Sequence, residues 1–78
     1  MIASENVNVP VDPRWVLIGK QLFNRRVNIA GVQVLRFAKR VGRSPQEVLA
    51  MEAGKLDPTP LVDYWVAQGV PRLIFEGV

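Results

Sequence analysis

The densest chemistry in this 78-residue chain is cationic. Arg25, Arg26, Arg36, Lys39, Arg40 and Arg43 place six of the ten basic residues within nineteen positions, and Lys55 follows. Guanidinium and ammonium groups at this density suit an acidic partner, phosphate above all. The net charge of +3 and an isoelectric point near 10.0 agree with that preference. The acids offer less. Glu5, Asp12, Glu47, Glu52, Asp57, Asp63 and Glu76 are dispersed, and several stand at expected helix starts, where capping accounts for them. The chain has no His, which removes the commonest general base and metal ligand. It has no Cys, which removes disulfides and thiolate sites. The expectation is a non-enzymatic domain with neither cofactor nor metal.

These cations need a scaffold, and the helix signals define one. Residues 1–11 mix Asn, Val and Pro without helical periodicity, which predicts an extended arm. Asp12-Pro13 is a cap followed by a first-turn proline, so a first helix runs from there to about Arg26. Trp15, Ile18 and Leu22 give it one apolar face. Asn28 is read as the cap of a second helix, with Val34, Ala38 and Val41 on its inner stripe and Gly42 at its end. Ser44-Pro45-Gln46-Glu47 is a capping box that opens a third helix over 45–53, stopped by Gly54. Thr59-Pro60 starts a fourth, with Leu61 and Trp65 inward and Gly69 closing it. Trp15, Phe23, Phe37 and Trp65 fall on or beside the apolar stripes and are expected in the core.

The fold class is therefore all-α: a four- to five-helix orthogonal bundle over 12–71, with an extended N-terminal arm. Residues 72–78 form a short C-terminal strand or tail. Apolar residues, 49% of the chain, suffice for a small core. No apolar run approaches the roughly 20 residues that span a bilayer. The first residues lack a basic stretch followed by an apolar one, so no signal peptide and no membrane are expected, and a cytoplasmic location is.

Within the stretch 32–54 the spacing is that of a helix-turn-helix. Such a unit needs a small residue where the second of its helices crosses the first. It needs a Gly four positions later to turn the chain, then apolar residues six and nine positions beyond. Ala38, Gly42, Val48 and Met51 stand at those offsets. Phe37-Ala38, Val41-Gly42, Ser44, Val48, Glu52, Gly54-Lys55 and Pro58 then follow, without a gap, the pattern of the lambda-repressor-like domains. The chain resembles that Cro-type, or XRE, helix-turn-helix family. Ile18-Gly19-Lys20 with Leu22, and Leu61 through Pro71, extend the resemblance to residues 17–71. Arg43 departs from a position usually apolar. Val34 stands where the family carries Gln, with Gln33 one place away.

The resemblance implies a third helix in the major groove of double-stranded DNA. Base-reading candidates are then Ser44, Gln46, Glu47, Leu49 and Ala50. Gln46 suits adenine, Glu47 suits cytosine, and Leu49 and Ala50 suit thymine methyls. Glu47 is first a capping residue, and Glu52 is expected in a structural contact. Phosphate candidates are Arg25, Arg26, Arg36, Lys39, Arg40, Arg43 and Lys55. A homodimer formed through Leu73, Ile74 and Phe75 would supply a second half-site. This describes a phage-repressor-type regulator of transcription. Two other functions use the same fold. The third helix carries no cation on its outer face before Lys55, so Leu49, Ala50 and Ala53 would also suit a protein partner, as in an anti-activator, adaptor or inhibitor of another regulator. A recombination accessory factor of the excisionase kind is the other.

Overall fold

A computed structural model describes residues 12–76. They form five helices: α1 (Pro13–Asn24), α2 (Val34–Val41), α3 (Pro45–Glu52), α4 (Thr59–Ala67) and α5 (Leu73–Glu76). No strand occurs among the described residues, which form an all-α bundle. The arm expected over 1–11 lies outside them.

Local chemistry starts these helices. The Asp12 carboxylate accepts from the Arg14 backbone N–H at 2.9 Å, and Pro13 occupies the first turn of α1. α4 starts after Pro58, and Asp57 in the preceding turn accepts from the Thr59 N–H at 2.9 Å and its hydroxyl at 2.6 Å. α1 ends at Asn24 and leads directly into a wider π-type turn over Arg25–Ile29, closed by the Ala30 N–H donating to the Arg25 carbonyl at 2.8 Å. That turn absorbs Asn28, whose side chain donates to Asn24 Oδ1 at 2.8 Å. Asn28 therefore does not cap α2. Gln33 takes that position in extended conformation, without a side-chain cap bond.

The core gathers Leu22 of α1, Phe37 and Ala38 of α2, Val48 and Met51 of α3, Leu61, Val62 and Trp65 of α4, and Phe75 of α5. α1 packs on α3 and α5, and α2 packs on α3 and α4. Phe37 is the hub. Its ring stacks on Trp65 at 5.5 Å and meets Tyr64 edge-on at 5.2 Å. Such pairs contribute roughly 0.5–1.5 kcal/mol each beyond simple burial. Trp15 is only partly buried, and Phe23 is 45% exposed. The core expectation for Phe23 is thus corrected. One residue on a helix turns the side chain by about 100°, so a face that buries Leu22 puts Phe23 outside. Its ring lies beneath the Arg26 guanidinium, 5.5 Å from Cζ.

The C-terminal expectation changes most. Leu73–Glu76 is a single helical turn, and Phe75 is wholly buried. Phe75 belongs to the domain core and is unavailable as a dimer contact. Leu73 and Ile74, its neighbours, remain exposed.

Candidate nucleic-acid interface

The α2–turn–α3 unit is built as the spacing requires. Ala38 is buried where α2 meets α3, and its carbonyl accepts from the Arg43 N–H at 3.0 Å. Gly42 ends α2 with φ +71°, a left-handed conformation that strains any residue with a Cβ. Ser44 then caps α3. Its hydroxyl accepts from the Glu47 N–H at 3.1 Å, and the Ser44 N–H donates to Glu47 Oε1 at 2.9 Å. Val48 and Met51 bury the inner face of α3.

α1 fixes the far end of α3. Arg26 and Glu52 form a buried bidentate pair, with Nε to Oε2 at 2.7 Å and Nη2 to Oε1 at 2.9 Å. Their side chains are 6% and 3% exposed. Arg26 Nη1 also donates to the Val32 carbonyl at 2.9 Å, so one side chain ties α1, the entry to α2 and the end of α3. Beside it α1 crosses α3 at Gly19. A Cβ there would lie 2.7 Å from the Glu52 carbonyl carbon and 3.0 Å from the Met51 oxygen. Only glycine permits this approach. The expected structural role of Glu52 takes this form. The phosphate role of Arg26 is corrected: its guanidinium is consumed inside the fold. Sequence reasoning missed the pairing because 26 residues separate the partners, beyond any helical period.

The remaining cations face outward. Arg36, Lys39 and Arg40 are exposed on α2, Arg43 in the turn and Lys55 after α3. None of these five makes an ion pair among the described residues. Arg25 is half-buried, and its Nε has no hydrogen-bond partner among them. On α3, Gln46 and Leu49 are exposed and Ala50 is partly exposed, and with Ala53, the exposed C-cap, they make one outward stripe. Ser44 and Glu47 border it but are occupied with each other. The Ser44 backbone N–H holds the Glu47 carboxyl below its ordinary value, and the charge of Arg43 adds to this. The site is a neutral, partly apolar helix face, with unpaired cations on the preceding helix, in the turn and just after α3.

Among the described residues no group of three acids could hold a metal ion, and no helix is long and apolar enough to cross a membrane. Comparison with protein-family models, with curated proteins and with solved structures finds no match to this chain.

Proposed function

We propose that this chain is a small DNA-binding regulator of the helix-turn-helix type. On this reading α3 enters the major groove, and Arg36, Lys39, Arg40, Arg43 and Lys55 lie on phosphates, with Arg25 at the margin. It works in the cytoplasm without cofactor or metal, and the exposed Leu73 and Ile74 join two copies. One observation supports it above the others: five cations on α2, in the turn and just after α3 are exposed and make no ion pair among the described residues. Five phosphate contacts per copy imply a slope of about −4.5 in log affinity against log salt for each copy bound, and about twice that for a dimer. Fluorescence anisotropy on a mixed-sequence duplex at low and moderate salt measures it. Arg40→Glu with Arg43→Glu weakens binding strongly and flattens the slope. Absence of binding at low salt refutes the proposal.

One observation favours a second reading. Leu49 is 47% exposed at the centre of a helix face that carries no cation. Such a face also fits a protein partner, as in an inhibitor of another regulator. There, Leu49→Asp abolishes a protein complex, and the charge reversals leave it intact.

A further inference from the structure

We infer that the base pairs beneath α3 are A·T pairs, read through thymine methyl groups and one adenine edge. The inference rests on the DNA-binding proposal above. It follows from which groups α3 can offer once the capping box has formed. A G·C pair presents two acceptors from guanine and one amino donor from cytosine in the major groove, with no methyl. The acceptors call for Arg or Lys. The cations nearest along the chain, Arg43 and Lys55, stand before the cap of α3 and beyond its last turn, and the helix itself carries none. The amino donor calls for a carboxylate. The one acid at the reading end of α3, Glu47, is turned back on the Ser44 N–H at 2.9 Å, and its release would open that half of the capping box. The other acid, Glu52, is buried against Arg26. The outward stripe is left with Gln46, Leu49, Ala50 and Ala53.

Each of these suits an A·T pair. A Gln side chain carries both donor and acceptor and matches adenine N6 and N7. Leu49 and Ala50, spaced three and four residues from Gln46, lie on the same face and offer only apolar surface. A thymine methyl against that surface is removed from water. A G·C edge there leaves polar groups unpaired, which adds discrimination against it. One methyl of buried apolar surface corresponds to about a fourfold change in affinity. An eight-residue helix, roughly 12 Å long, covers on the order of three to four base pairs.

The test uses the full chain and a randomised duplex library at moderate salt. The enriched duplex is then rebuilt with thymine replaced by uracil, one position at a time, which deletes only the methyl. Enrichment of A·T pairs at the core is expected, with about a fourfold loss at one or two uracil positions. In Leu49→Ala that loss shrinks at one of those positions. Leu49 is exposed, so the variant keeps its helical circular dichroism. Enrichment of G·C pairs, or affinity unchanged by every uracil, overturns the inference while leaving DNA binding in place. No binding at low salt overturns both.

Discussion

The Arg26–Glu52 pair invites a double-mutant cycle. Both side chains are nearly inaccessible, and both carboxylate oxygens are engaged by one guanidinium. Removing one partner strands a charge in the interior, which costs about 3–5 kcal/mol. A domain of this size has a total stability of roughly 3–5 kcal/mol. Arg26→Met and Glu52→Met, each alone, therefore leave the chain largely unfolded at 25 °C, read as lost ellipticity at 222 nm. Arg26→Met/Glu52→Met removes both charges and fills the space with apolar groups, a change that is often near neutral. One deficit remains. The Val32 carbonyl has lost its donor, Nη1 at 2.9 Å. An unmade bond of that kind costs about 1 kcal/mol. The double variant should refold and fall short of the parent by about that amount in urea denaturation. Additive single effects, or a single variant as stable as the parent, would show that the pair does not hold α1 to α3.

Two glycines should fail for different reasons. Gly19→Ala drives a methyl into the carbonyls of Met51 and Glu52 and should separate α1 from α3, whereas Gly42→Ala meets open space and costs only its left-handed backbone, about 1–2 kcal/mol. Equal thermal midpoints for the two would contradict the close crossing. Phe75→Ala should cost about 3–5 kcal/mol in a monomer, because it empties a core position. Leu73→Asp with Ile74→Asp should leave the fold intact and, if these residues join two copies, halve the mass by light scattering. Acid should destabilise the domain in a defined direction. Asp12, Glu47 and Asp57 are held below their ordinary values by hydrogen bonds from Arg14, Ser44 and Thr59 respectively. Their contribution is complete above about pH 4.5 and is lost as pH falls through the lowered values. No side chain of ordinary pKa titrates between about pH 6 and 8 here, so the midpoint is flat across that range. A midpoint that rises on acidification from pH 5 to 3 would contradict the capping account.

What was legible in the sequence was local. Asp12-Pro13 and Ser44-Pro45-Gln46-Glu47 mark helix starts because a cap bond joins residues two or three positions apart. Ala38, Gly42, Val48 and Met51 mark the corner because helical pitch converts their spacing into one inward face. What only the tertiary structure decided was the fate of side chains whose neighbours are distant along the chain. Arg26 belongs to the cationic cluster by position, but the approach of α3 makes it a buried partner of Glu52. Phe23 and Phe75 are equally apolar, yet Phe23 is 45% exposed on the outer side of α1 and Phe75 is wholly buried in the core. Leu73–Glu76 has strand-like composition and still forms a single helical turn, which buries Phe75 and leaves Leu73 and Ile74 exposed. Glu47 could be read as cap or base reader, and closure of the capping box assigned its carboxylate to the cap. Short-range bonds are encoded in spacing, whereas burial and charge pairing depend on which helices meet.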